Sequence, residues 1–112
     1  MAQIEHIDAV QSLDEIFQFP GLDAYIIGPY DLSSSMGLSG QLDHPSVKAA
    51  VTEIEIKGRQ YRIPGGIHIV EPSIVELQAA VSRDFKFIAY SVDFRMLDVM
   101  CRVGIDAIKG RR

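Results

Sequence analysis

One cysteine, no tryptophan and no long apolar run define this chain first by what it does without. The lone Cys101 can close no internal disulfide, and such sparing use of cysteine fits a reducing, cytoplasmic setting. It falls among apolar residues and is expected to be a buried small hydrophobe, the usual fate of a free cysteine. No apolar stretch approaches the roughly 20 residues that span a bilayer. Met1-Ala2-Gln3-Ile4-Glu5 lacks the basic segment and apolar run of a signal peptide. Positive charge is also short, with 11 Lys and Arg against 15 Asp and Glu, for a net charge of −4. A nucleic-acid or anionic-membrane surface needs a clustered basic patch, so neither partner is expected. The one basic cluster, Lys109, Arg111 and Arg112, reads as a frayed tail. What remains is globular: 112 residues, 47% hydrophobic, enough for one domain.

Short β-branched and aromatic runs mark strands at Ala24-Tyr25-Ile26-Ile27-Gly28 and Phe85-Lys86-Phe87-Ile88-Ala89-Tyr90. A third, Gly66-Ile67-His68-Ile69-Val70, follows the breaker Pro64-Gly65-Gly66. Ala2 to His6 read as the end of a fourth. Helical patterns lie between them. Ser12-Leu13-Asp14-Glu15 has the form of a capping box, in which Ser12 would take the N3 amide and Glu15 would reach back. That helix is short and stops at Pro20-Gly21. Pro45 suits a first helical turn, with Val47, Ala50, Val51 and Ile54 on one face until Gly58. Pro72 opens another helix with Ile74, Val75, Leu77, Ala80 and Val81 apolar. Asp93 is the expected N-cap of a last one, along which Met96, Leu97, Met100, Val103 and Ile108 recur.

Strand then helix, four times over, calls for an α/β fold with a parallel sheet and right-handed crossovers. Pattern alone leaves a doubly wound sheet and a barrel open. Four βα units are half of the eight that close a barrel, whose typical length is about 250 residues. A complete domain seldom starts within a buried strand, so residues 1–112 read as a fragment.

In parallel α/β folds reactive side chains collect where strands end. Those places hold Glu5-His6, Pro29-Tyr30-Asp31, Val70-Glu71 and Ser91-Asp93. Glu5 and Asp31 are carboxylates directly after strands. Hard divalent cations take such oxygens, often from only one or two protein carboxylates plus substrate and water. Two acids by themselves are equally consistent with solvated loops or helix caps.

Gln3-Ile4-Glu5, Ile27-Gly28-Pro29-Tyr30-Asp31-Leu32-Ser33 and Met36-Gly37 resemble the class II pyruvate aldolases of the HpcH/HpaI type. Asp43-His44-Pro45, Gly66-Ile67-His68 and Ser91-Val92-Asp93 continue the likeness in order and spacing. It spans essentially the whole chain but only the second half of that family's (β/α)₈ barrel, strands five to eight. The Gly-Pro-x-Asp-Leu-Ser segment is its specific part. The resemblance implies that Glu5 and Asp31 bind a divalent metal ion (Mg²⁺, Mn²⁺ or Co²⁺). It implies that the backbone around Pro29, Tyr30 and Asp31 faces the carboxylate of a 2-oxo acid substrate. Many relatives carry Ala where Tyr30 stands, and the larger side chain would narrow the pocket. The implied activity is a lyase reaction: metal-dependent aldol cleavage of a 4-hydroxy-2-oxo acid to pyruvate and an aldehyde, or the reverse.

The family's base histidine and carboxylate-gripping arginine come from the first half of the barrel, so the isolated chain is expected to be inactive. None of the three histidines matches that base. His6, beside Glu5, lines the site or belongs to a loop. His44 before Pro45 reads as a helix-start residue, and His68 as a satisfied interior histidine. Ser33-Ser34-Ser35 lack the Gly-rich loop and Lys of a phosphate site and read as turn chemistry at a helix start. Arg59 and Arg62 read as surface charges. Glu71 and Asp93 suit helix N-termini, where the macrodipole favours anions. Two rival readings stand beside the enzyme: a half-barrel structural or binding module that pairs with itself, and a small doubly wound sheet unrelated to aldolases. Half a barrel leaves open strand edges and an apolar face, on which Ile26, Ile67 and Ile69 were the expected inward residues. A homo-oligomer, or association with the absent half, is the expected state.

Overall fold

A computed structural model describes residues 1–110; Arg111 and Arg112 of the basic tail lie outside the described residues. Strand β1 (Ala2–Ile4) leads to two short helices, α1 (Ile7–Gln11) and α2 (Leu13–Phe17). After β2 (Tyr25–Ile27) come α3 (Pro29–Ser35) and α4 (Pro45–Gln60). Then follow β3 (Gly65–Ile69), α5 (Ile74–Ser82), β4 (Phe87–Tyr90) and α6 (Asp93–Lys109).

The strands lie side by side in chain order, β1-β2-β3-β4, all parallel. A doubly wound sheet reverses its strand order at a switch point and carries helices on both faces. Here the order never reverses. Ile4, Tyr25, Ile27, Ile67 and Ile69 point to one face, where they join Leu13, Phe17, Leu32, Ala50, Ile54 and Ala80 in a single core. Ile4, Ile27 and Ile54 are at most 1% exposed, and each such side chain contributes about 1.5–3 kcal/mol through burial. This is the one-sided packing of barrel βα units.

Strand side chains alternate between faces, so the other face carries Gln3, Ile26, Gly66, His68, Phe87 and Ala89. The expectation for Ile67 and Ile69 is thereby corrected, since both sit beneath the helices; Ile26 alone of the three lies on the opposite face. A run such as Gly-Ile-His-Ile-Val is apolar at every other position, and only the register tells which set faces in.

Several local expectations also change. Ser12 does not form a capping box: its side chain makes no cap bond, and its amide already bonds Asp8 and Ala9 carbonyls at the end of α1. The helical segment starts earlier, capped by His6, whose Nδ1 accepts from the Asp8 amide at 3.2 Å. His44 caps α4 likewise, accepting from Ser46 at 3.2 Å, as its place before Pro45 suggested. Gly58 does not stop α4, which runs two residues further. A Cβ there would stand 2.4 Å from Tyr25, so the glycine makes room for that ring. Ser73 rather than Pro72 caps α5, accepting from Glu76. Val92 precedes α6, with Asp93 already in its first turn. Ser33-Ser34-Ser35 end α3 instead of starting it.

Helix α6 buries none of its residues, and Cys101 on it is exposed, against expectation. The apolar neighbours that sequence gave Cys101 are themselves uncovered. The projecting helix stretches the molecule to a radius of gyration of 16.4 Å, against about 13 Å for a compact domain of this size. Among the described residues no helix is long and apolar enough to cross a membrane.

Candidate active site

Glu5 is the first residue beyond β1, and Asp31 lies in the first turn of the helix that follows β2. The two strands are parallel neighbours with Ile4 beside Ile27, so both carboxylates belong to the same C-terminal edge of the sheet. Strand pairing ends in a Gly28 N–H to Ile4 carbonyl bond of 3.1 Å, which fixes the register where the acids begin.

Gly28 lies against Glu5. A Cβ built on it would stand 3.2 Å from Glu5 Cβ and 3.3 Å from Glu5 Oε2. Its φ of −102° is open to any residue, so what glycine offers here is room and not conformation. Any side chain would press on the Glu5 carboxylate. The Gln3 side-chain amide donates to that same oxygen, holding the carboxylate over the glycine.

The rest of the Gly-Pro-Tyr-Asp-Leu-Ser segment builds the platform. Pro29 starts α3 with a fixed φ and no N–H to satisfy. The amides of Tyr30 and Asp31 fall in the first turn, where no carbonyl of the helix can receive them. Leu32 is wholly buried in the core. Ser33, equally buried, donates to the Tyr30 carbonyl at 2.7 Å and accepts from Gly40 at 3.1 Å. Gly37, at φ +72°, closes α3: its amide bonds the Ser34 carbonyl while Leu38 bonds that of Ser33. This left-handed cap is glycine's own conformation. Ser35 accepts from the Ile7 amide at 2.9 Å, tying the end of α3 to the chain just past Glu5.

Donor chemistry fits a hard divalent cation: two carboxylates that follow neighbouring strands on one rim. Among the described residues no group of three or more His, Cys, Asp or Glu converges. A cation held here would therefore complete its shell with water and substrate oxygens. His6, beside Glu5, spends its Nδ1 as the α1 cap, and its side chain is more than half exposed. His68, on the face opposite the helices, has Nε2 3.4 Å from the Ser91 carbonyl.

One rim feature escaped the sequence. Arg95, in the first turn of α6, grips both oxygens of Glu71, with bonds of 2.8–2.9 Å, and also pairs with Asp98. The hydrogen bonds to Arg95 hold the Glu71 carboxyl below its usual range, and Arg95 is raised in turn. Arg95 stands within electrostatic reach of Tyr30. The available signal was positional, since Glu71 follows one strand closely and Arg95 the next.

A family-wide sequence profile described as HpcH/HpaI aldolase/citrate lyase matches residues 1–98. A hydroxypyruvate/pyruvate aldolase of Sagittula stellata is 36% identical over 97 residues, covering 87% of this chain and 38% of that protein. A 2-dehydro-3,6-dideoxy-6-sulfogluconate aldolase of Pseudomonas putida is 32% identical over 98% of this chain and 42% of its own length. The crystal structure of an HpcH/HpaI aldolase from Desulfitobacterium hafniense superposes with a TM-score of 0.87 at 32% identity, over 97% of this chain and 42% of that one. The chain thus spans about two fifths of the length of the relatives it matches, and its four βα units are part of a barrel. By sequence profile, by identity and by fold, this chain belongs to the HpcH/HpaI aldolase/citrate lyase family.

Proposed function

We propose that this chain supplies the metal-holding rim of a divalent-metal-dependent aldolase acting on 4-hydroxy-2-oxo acids. The observation that carries the reading is the placement of Glu5 and Asp31 on one edge of adjacent parallel strands, with Gly28 leaving room beside the Glu5 carboxylate. Each acid offers a carboxylate oxygen. A bound Mg²⁺, Mn²⁺ or Co²⁺ supplies Lewis-acid stabilisation of the negative charge that grows on the 2-oxo oxygen as the carbon–carbon bond breaks. Gln3 orients Glu5 by its side-chain hydrogen bond. The unspent amides of Tyr30 and Asp31, at the positive end of α3, suit the substrate carboxylate. The bulk of Tyr30 limits the space beside that carboxylate. Removal of the proton from the 4-hydroxyl group, whose oxygen becomes that of the aldehyde, has no matching base among these residues, so the chain by itself binds and orients without turning over.

Mn²⁺ titration of the full chain tests the ligands. Glu5→Gln and Asp31→Asn should each weaken binding at least about tenfold, the scale of losing a charge-assisted partner. Unchanged affinity in both variants would remove the rim from consideration. The chain alone should release no pyruvate from a 4-hydroxy-2-oxo acid above the metal-only background. Turnover regained on adding a separately made first half of a relative's barrel, and lost again with Glu5→Gln, supports the assignment.

The uncovered apolar side of α6 favours association, as a homo-oligomer or with the strands that complete the barrel. Phe94, Leu97, Met100, Val103 and Ile108 are all more than half exposed along it, and so continuous a stripe is unusual on a soluble monomer. Sedimentation giving a stable monomer at micromolar concentration, without dye-accessible apolar surface, would overturn the association.

A further inference from the structure

At the opposite end of the sheet lies a cavity of about 230 Å³, built from the start of β2 and β3, the last turns of α4 and the turn before β4. Tyr25 marks its depth. Tyr25 lies three positions before Gly28, about 10 Å at ~3.3 Å per strand residue, so this cavity is distinct from the Glu5–Asp31 rim. Tyr25 is 3% exposed, and its ring end is wedged so tightly that a Cβ on Gly58 or Gly65 would stand 2.4 or 2.5 Å from the hydroxyl oxygen. That hydroxyl makes no hydrogen bond among the described residues, yet the residue lines the cavity. Burial and the Glu55 charge push its pKa up, so it keeps its proton and remains a donor.

Charge around the cavity is unbalanced. Arg59, Arg62, Arg83 and Lys86 face it with only Glu55 and Asp84 to answer them. Glu55 is taken by Arg83 through both oxygens, with Arg59 3.7 Å away, and Asp84 by Lys86. Arg62 makes no ion pair among the described residues and holds a left-handed backbone, φ +58°. That conformation closes α4, with the Ile63 amide on the Gly58 carbonyl and the Arg62 amide on that of Arg59.

We propose that this cavity binds a small oxyanion bearing two negative charges, held by the Tyr25 hydroxyl and the guanidinium groups of Arg59 and Arg62. Guanidinium forks match carboxylate and phosphate oxygens bidentately, and the volume admits an ion of a few heavy atoms. A nucleotide or other drug-sized ligand needs a pocket of about 300 Å³ or more. The occupant is therefore a free phosphate-bearing or dicarboxylate compound of low mass.

Inorganic phosphate titrated into the full chain at constant ionic strength, followed through backbone amide resonances of Tyr25, Arg62 and Gly65, tests this. The shifts should saturate, and Tyr25→Phe and Arg62→Asn should each weaken binding about tenfold. Asn adopts the left-handed region readily, so Arg62→Asn preserves the turn even if Tyr25→Phe perturbs the core. Tighter binding of phosphate than malonate assigns the site to phosphorylated compounds, and the reverse to dicarboxylic acids. Glu5→Gln should leave the titration unmoved, which separates this site from the metal rim. A linear response matched by sodium chloride, or saturation unaffected by Arg62→Asn in a folded chain, would overturn the assignment.

Discussion

Helices α4 and α6 are nearly the same length, 16 and 17 residues, and each repeats apolar residues at helical spacing. Yet α4 buries Val47, Ala50 and Ile54 against the sheet and the neighbouring helices, while α6 buries nothing. An amphipathic pattern announces that a helix has a face to cover. It does not say which surface covers it, and for α6 the described residues provide none. The same contrast runs through charge. Helix α4 is tied to α2 by Lys57, whose Nζ lies 2.6 and 2.8 Å from the Asp14 carboxylate oxygens, with Tyr61 donating to the same group at 2.8 Å. Helix α6 holds the rest of the chain mainly through Arg95 and Glu71 at its first turn.

The largest expected effect comes from cutting the buried side. Ile54→Ala should cost about 2–5 kcal/mol in denaturant unfolding, as a wholly buried side chain leaves a cavity. Leu97→Ala, on the exposed stripe of α6, should change monomer stability by less than about 0.5 kcal/mol. If α6 is covered in an assembly, that same variant should instead shift the monomer–oligomer balance towards monomer in sedimentation. Equal losses for the two variants in dilute monomer would break the contrast.

The glycines of the two helices give a finer comparison. Gly58→Ala puts a Cβ 2.4 Å from Tyr25 and should destabilise by about 1–3 kcal/mol through overpacking, despite alanine's better helix propensity. Gly104→Ala meets nothing within 4 Å and should stabilise α6 by roughly 0.5–1 kcal/mol. A loss at Gly104, measured in the assembled state, would place another chain's backbone against it.

Smallest is the acid response. Hydrogen bonds from Lys57 and Tyr61 hold the Asp14 carboxyl below its ordinary value. A depressed folded-state pKa stabilises above the unfolded value of about 3.9, and that stability is lost as pH falls through the folded value. Asp14→Asn should therefore flatten the fall in stability below about pH 4 and lower the plateau above it only slightly, because the pair is solvent-exposed. An acid-unfolding midpoint identical in both proteins would show that the α2–α4 tie contributes nothing.

Four strands, their parallel order and the rim carboxylates were legible because each has a local cause. Tyr25–Ile27 and Phe87–Tyr90 are β-branched or aromatic runs bounded by turn residues, and Pro45 marks a helix start by its missing N–H. The misreadings share another cause. Ser12 carries the letters of a capping box, but a helix already begun at Ile7 claims its backbone. Gly58 looks like a stop, yet it is a seat for an aromatic ring 33 positions earlier in the chain. Cys101 was expected inside because its neighbours are apolar, and it is outside because those neighbours have no partner surface.

By itself, then, the sequence determined elements, their order and which residues end the strands, since propensity, capping and periodicity act within a few residues. The Gly-Pro-Tyr-Asp-Leu-Ser run placed Asp31 directly after a strand whatever lies around it. Only the tertiary structure decided that Gly28 clears space for Glu5, that Ile67 and Ile69 look towards the helices, and that Tyr25 ends in a cationic cavity. Those facts depend on strand register and on contacts between distant segments. A shift of register by one residue would invert every face of the sheet without altering a single local preference.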